Sequence, residues 1–359
     1  MKKIYYITAV FATLFLVGCG DGIDLPGVNV ETDLNKIPLP DNNVNLEQVE
    51  LKPSTEPMLH EGLHTEEDFQ RIRDKKAAGE EPWISAYQLL VESQFSQKTA
   101  DTYPTEWIKR GVSGDENYMN AARGATIVYQ QALRWKIEQD DEYAAKAVEN
   151  LNKWVQTCVG VTGNTNLSLA AGLYGYEFAI AGELLRDYGG WDRADFAAFQ
   201  NWLLKVFYPA NDDFLKRHHD TNALHYWANW CLCNIAAKMA IGIVTDRRDI
   251  YNEGIAHLQT GDTNGRLRRA IYHDYAPDYN FAQWQESGRD QGHTLMCVGL
   301  MGIICQLAWS QGDDFFAYDD NLFLRACEYA ACCNYTNETV PYTTYIWQKQ
   351  SQWGYPIPE

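Results

Sequence analysis

Gln283-Trp284-Gln285-Glu286-Ser287-Gly288-Arg289-Asp290-Gln291-Gly292-His293-Thr294 runs straight into Leu295-Met296-Cys297-Val298-Gly299-Leu300-Met301-Gly302-Ile303-Ile304-Cys305-Gln306-Leu307. The second part is apolar nearly all round, which marks a helix buried on every side. A helix begun at Glu286 places Glu286, Arg289, Asp290 and His293 at i, i+3, i+4 and i+7, on one face. Polar groups opening a buried helix are costly unless each has a partner or a ligand. One account is an internal ion-pair network that positions helices. The other is a binding or catalytic site, which the clustering of titratable groups favours.

Outward from this stretch, helix follows helix. Thr65-Glu66-Glu67-Asp68 is a capping signature, and Trp83 to Val91 reads as the partner of the helix it opens. Glu116 to Glu138 has a long helical pattern, and Tyr143 to Cys158 an amphipathic one. Leu167 to Leu185 is small and apolar almost throughout. Asp192 caps Arg193 to Phe207, Thr221 to Val244 is again mostly apolar, and Arg248 to Leu258 amphipathic. A long inner helix, a turn and an amphipathic outer helix recur about five times, so the expected fold is all-α, an incomplete (α/α) toroid of helical hairpins. Gly261 to Gln285 breaks the rhythm with aromatic residues among Gly, Asp and Pro, and reads as a loop or short hairpin over the cavity.

A second polar set falls in the Thr221 to Val244 segment. Asn222, His225, Tyr226 and Asn229 occur at i, i+3, i+4 and i+7, beside Trp227 and Trp230. A lone buried histidine is most simply a satisfied core residue, but two asparagines, a histidine and a tyrosine on one face need partners an apolar core cannot supply. Asn117, Asn120 and Arg123 form a weaker stripe, suited to ligand contact or to a helix end.

The chain opens with Lys2, Lys3, an apolar run from Ile4 to Phe15, and Leu16-Val17-Gly18-Cys19. This resembles a bacterial lipoprotein signal (residues 1–19) with Cys19 lipid-modified. The run is short for a span, and nothing later is expected to be long and apolar enough to cross a bilayer. The membrane is therefore met only through that anchor, at the periplasmic or surface face of a bacterial outer membrane. Residues 20–58, rich in Pro, Gly and polar side chains, read as a tether, and 59–359 as a single domain. The net charge of −18 argues against a nucleic acid partner. An acidic ligand would need a local basic cleft, for which Arg266, Arg268, Arg269 and Arg289 are candidates. The nine cysteines fit no common zinc spacing, and no disulfide can be assigned.

With Asn229-Trp230 in one inner helix and Gln285-Glu286-Ser287-Gly288-Arg289-Asp290-Gln291 opening another, residues 60–359 resemble the alginate-lyase-like polysaccharide lyases. Within them the likeness is greatest to the toroidal lyases of gut Bacteroidetes that act on alginate or glucuronan. Asn222, His225-Tyr226-Trp227, Trp230 and Tyr272-His273-Asp274-Tyr275 are similar to motifs of the classical alginate lyases, which use an Asn-His pair, an Arg and a Tyr. Here Ala223 and Leu224 separate Asn222 from His225. The resemblance implies β-elimination at a uronic acid without metal or cofactor: His225 as base, Tyr272 as acid, Asn229 and Arg289 on the carboxylate. Asn222, Tyr226, Trp230, Gln285, Glu286 and His293 would bind substrate, and Trp227 and Trp284 would offer flat faces. It also implies a chain that continues further, so a C-terminally shortened ring is expected. Two rivals stand beside it. A glycoside hydrolase would use Glu286 and Asp290, one turn apart on one helix, where opposed acids are needed. A non-catalytic glycan-binding lipoprotein would need aromatic faces but no buried acid-base groups.

Overall fold

In the computed structural model, which describes residues 53–335 and 340–343, two small helices lead in: α1 (Glu66–Ala77) and α2 (Trp83–Glu92). The Thr65 capping box opens α1 as the sequence indicates. There follow α3 (Tyr118–Glu138), α4 (Asp141–Thr157), α5 (Leu167–Leu185), α6 (Arg193–Val206), α7 (Tyr208–Arg217), α8 (Ala228–Val244) and α9 (Arg248–Thr260). A short α10 (Leu267–Ala270), then α11 (Gln291–Ser310) and α12 (Tyr318–Tyr335), complete the described helices. Asp140, Asp192 and Asp290 cap α4, α6 and α11 with their side chains, satisfying N–H groups that a first turn leaves unpaired.

The inner wall is α3, α5, α8 and α11, packed in that order, with α4, α6–α7, α9 and α12 outside. This is an (α/α) toroid. Close approach of α5 and α8 depends on Gly172, where a Cβ would fall 2.5 Å from the Cys233 sulfur. One buried core runs from Met58 to Ala330. Its outer layer is aromatic: Phe178 packs edge-on to Trp202 with centroids 5.2 Å apart, and Trp202 likewise to Phe207 at 5.1 Å.

Two strand pairs decorate one rim. β1 (Trp107–Arg110) pairs in parallel with β2 (Gly160–Gly163), which the helical pattern did not announce. β3 (Ile271–Asp274) pairs antiparallel with β4 (Ala282–Trp284), the hairpin expected near 261–285. Because an outer segment intervenes between successive inner helices, the inner helices all run the same way. β1, β2, the 221–227 segment and the β3–β4 hairpin each precede an inner helix, so they gather at its N-terminal rim. That rim carries the positive ends of four helix dipoles, a local attraction for anions on an acidic protein.

Two expectations need correction. Helix α11 does have the length and composition of a membrane span, 20 residues with a mean hydropathy of 1.4. Its apolar surface is accounted for by packing inside the ring against α8 and α12. The tether reading also reaches too far: Arg248 donates to the carbonyls of Glu56 and Pro57, Asn252 to that of Ser54, and Met58 is buried. The leader, Cys19 and the residues beyond 343 lie outside the described residues.

Candidate active site

The site forms where the turn Gln285–Gly288 meets the first turn of α8. Trp227 stands at the N-cap of α8 without a side-chain capping bond, so the opening N–H groups of this buried helix need acceptors from elsewhere. Gln285 Oε1 accepts from the Ala228 N–H at 2.8 Å, and Glu286 Oε1 from the Asn229 N–H at 3.2 Å. This is why an amide and an acid stand side by side here, both buried.

One oxygen of Glu286 is therefore structural, and the other is not. Glu286 Oε2 makes no hydrogen bond and lies 3.5 Å from Arg289 Nη1, which makes none either. Asn229 Oδ1 is likewise buried without a partner, while its amide nitrogen donates to the Met296 sulfur at 3.5 Å. Burial pushes the Glu286 carboxyl above the usual carboxylate range, against the pull of Arg289, His293 and the Asn229 N–H. The Arg289 guanidinium lies 5.5 Å from the Trp227 ring centre, and its Nε is 3.6 Å from Asp290 Oδ2.

Asp290 is engaged by His293 twice. Its Oδ1 accepts from the His293 N–H at 2.7 Å, and Oδ2 lies 2.6 Å from His293 Nδ1. Burial opposes ionisation of Asp290, but these bonds and the nearby charges outweigh it and hold the carboxyl below its usual range. Glu286 and Asp290 thus flank Arg289 rather than a space between them, a poor arrangement for paired-acid hydrolysis. Their gathering does not come from one helical face as the periodicity suggests. Gln285–Gly288 is a 3-10 turn, Asp290 is extended, and α11 begins only at Gln291.

The second polar set is corrected in the same way. Helix α8 begins at Ala228, not Thr221, and the loop before it is set off from α7 by His218, His219 and Asp220, all with positive φ between 48° and 58°. Such a left-handed turn interrupts a right-handed helix. Asn222 is exposed and its Oδ1 accepts from the Leu224 N–H at 2.8 Å, so it shapes the loop. His225 is half-buried, edge-on to Tyr226 at 4.9 Å, and Tyr226 packs against Trp230 at 4.7 Å. Burial raises the Tyr226 hydroxyl above its ordinary pKa. Of the histidines between α7 and α8 the sequence singles out His225 alone, yet His219 joins it, with Nε2 3.0 Å from Ser168 Oγ at the start of α5. His218 is pushed down to about 4 by burial first and by its two neighbouring imidazoles second.

Tyr272 on β3 is buried, and its hydroxyl donates to the Thr343 carbonyl. Gln283 binds the same residue, accepting from the Thr343 N–H at 2.8 Å and donating to its carbonyl at 3.0 Å. Residues 340–343 are thereby fastened to the hairpin. Trp284 is fully buried with its N–H on the Ala326 carbonyl, so it offers no face to a sugar. Of the basic candidates, Arg268 is paired with Asp274 and Asp319, and Arg269 donates to the Asp262 carbonyl. Asn117 clips β1, accepting from the Lys109 N–H and donating to the Trp107 carbonyl, a helix-end role.

Fold and site together define a helical toroid with a buried, unsatisfied polar cluster at the rim of its inner helices. A family model described as alginate lyase matches residues 72–338, and the chain belongs to that family; it is a polysaccharide lyase. Among solved structures it is similar to a variant of alginate lyase A1-III complexed with tetrasaccharide, at 13% identity and a TM-score of 0.59, covering 77% of this chain and 78% of the other. An alginate lyase from Bacteroides ovatus shows 14% identity and a TM-score of 0.54, covering 83% and 86%. Alginate lyase A1-III from Sphingomonas species A1 shows 13% and 0.54, covering 82% and 87%. A search of curated proteins found no match.

Proposed function

We propose that the chain cleaves alginate or glucuronan by β-elimination at the N-terminal rim of the inner helices. The observation that carries this is the meeting of Asn229 Oδ1, Glu286 Oε2 and Arg289 Nη1, buried polar atoms without hydrogen-bond partners, beside flat aromatic rings. The C5 proton of a uronate is barely acidic until its carboxylate is neutralised, so donors must hold that group as charge builds. Arg289 Nη1 is the unpaired donor for that carboxylate, joined by the Asn229 amide nitrogen through the hydrogen not directed at Met296, while Asn229 Oδ1 and Glu286 Oε2 can accept from sugar hydroxyls. His225 takes the C5 proton, the C4=C5 double bond forms, and the C4–O bond breaks as the histidinium so formed protonates the leaving glycosidic oxygen. Tyr272, expected from the sequence as the acid, is buried with its hydroxyl committed to the Thr343 carbonyl and takes no part in the step. Glu286 and His293 orient Arg289 directly and through Asp290, while half-buried Trp230 offers the aromatic face, backed by buried Tyr226 and Trp227. Gln285 acts at one remove by fixing the start of α8.

The deciding measurement incubates the protein with polymannuronate, polyguluronate and glucuronan and follows ultraviolet absorbance of the unsaturated uronide. Absorbance rising with chain cleavage is expected, and sugar release without that chromophore would overturn the reading. The leader supports a further proposal, that Cys19 is lipidated and anchors the enzyme to the outer membrane. Cys19→Ser should then move the protein from the membrane fraction to the soluble one, and unchanged partitioning would refute the anchor.

A further inference from the structure

Arg110 ends β1, with its backbone packed closely against β2. Opposite it in register, Gly163 has a φ of 141°, and a Cβ at that position would fall 1.8 Å from the Arg110 carbonyl oxygen. Its guanidinium lies 4.7 Å from the centre of the Tyr118 ring, which stacks on Tyr174 at 6.5 Å and 13°. Arg110 Nη1 is buried and makes no hydrogen bond, and no acid lies within ion-pair distance of the residue among the described residues. That is unexpected in a chain with 48 acidic and 30 basic side chains. The buried arginines each have a carboxylate: Arg134 pairs with Glu138, Arg186 with Glu183, and Arg325 with Asp274. Half-buried Arg248 and Arg269 donate to backbone carbonyls instead, and Arg110, also half-buried, does neither among the described residues.

The position of Arg110 gives this vacancy a meaning. Burial drives the thiol of Cys233 well up, and among the charges acting on it that of Arg110 pulls it back. Cys233 sits one helical turn beyond Asn229 and packs on Gly172 of α5. Arg110 packs on Tyr118, Tyr118 stacks on Tyr174 of α5, and α5 meets α8 at Gly172, so Arg110 stands on the α5 side of the first turns of α8 as Arg289 stands on the α11 side. A polyuronate carries a carboxylate on every ring, and a chain crossing the end of α8 brings a second one toward Arg110.

We propose that Arg110 is a second carboxylate clamp, binding a uronate ring next to the one that reacts, with its guanidinium braced on Tyr118. The assignment rests on the lyase reading above. A charge-assisted bond of this kind acts on ground state and transition state alike, so it should appear in KM rather than kcat.

The test compares full-length protein with its Arg110→Gln and Arg110→Lys variants on polymannuronate, polyguluronate and glucuronan, with competition by uronate oligosaccharides and their carboxyl-reduced forms. In Arg110→Gln, KM should rise about tenfold with kcat within about twofold, and the preference for acidic over reduced oligosaccharide should shrink by a similar factor. Arg110→Lys should recover part of both, since it restores charge but not the planar fork. Unchanged KM and acid preference in both variants, with an active wild type, would overturn this inference alone. A loss of kcat in step with a lowered melting temperature would overturn it in favour of a scaffold role. A wild type that neither binds nor cleaves any polyuronate would overturn the proposed function and this clamp with it.

Discussion

The two ends of α8 bury charge in opposite ways. At its C-terminal end, the Ile243 and Val244 carbonyls accept from Arg186 at 3.2 and 2.9 Å, and Arg186 is itself held by Glu183 and Asp246. Midway, the wholly buried Lys238 meets Asp212 at 2.7 Å and Glu253 at 2.6 Å. At the N-terminal end, Gln285 and Glu286 cap the helix, yet Asn229, Glu286 and Arg289 each keep an atom without a hydrogen bond. Burial of charge is thus common to both ends and marks neither as a site. What separates them is satisfaction: the lower clusters are closed networks, and the upper one has unmet capacity that a ligand can fill.

Removing one member of a closed network should have the largest effect on stability. Lys238→Ala removes the buried cation that ties Asp212 and Glu253 to α8, and because Asp212 keeps Lys216 and Glu253 is partly exposed it should cost about 2–3 kcal/mol in denaturant unfolding. Turnover per folded molecule should stay within about twofold. A stable Lys238→Ala protein that has lost activity would invert the comparison.

Arg289→Ala should do the reverse. Loss of the carboxylate donor should lower kcat/KM on polyuronate by about 10²–10³, while unfolding free energy changes by about 1 kcal/mol or less. The reason is that burial already raises the Glu286 carboxyl, so it can take up a proton when its cation is gone. Equal losses of stability and activity would show that the upper cluster is as structural as the lower.

Glu177, midway along α5, sharpens the contrast further. One of its oxygens is buried without a partner, and burial raises its pKa to about 8 from a usual 4.5. The folded protein then binds an extra proton between these values, so the stability this group contributes is greatest at low pH and is lost as pH rises through 8. Glu177→Gln, which cannot ionise, should therefore gain on the wild type by about 1–3 kcal/mol between pH 5 and pH 9. A constant difference across that range would mean the carboxylate has a partner in solution.

Much of the ring was legible in the chain because it depends on local pattern. Leu167 to Leu185 emerged as α5 with both bounds as read, and Thr65 and Asp192 capped their helices as their side chains suggest. The site was half legible. Its residue types were identifiable, since polar groups interrupting an apolar helix demand partners, but the periodicity that grouped them was misleading. Asn222 and His225 lie in a loop behind a left-handed turn, and Glu286 lies in a 3-10 turn before α11. Arg110 left no mark, because a four-residue strand that runs into a glycine turn has no period to read.

The order of local hydrophobic and capping signals along the chain was enough to determine an all-helical ring with buried inner members, since those signals act within a few residues. Which polar atoms stay unsatisfied was decided only when distant segments met, with Gln285 and Glu286 closing the start of α8 across 57 positions of sequence. Hydrogen-bond capacity is a property of the assembled neighbourhood, and no single segment carries it.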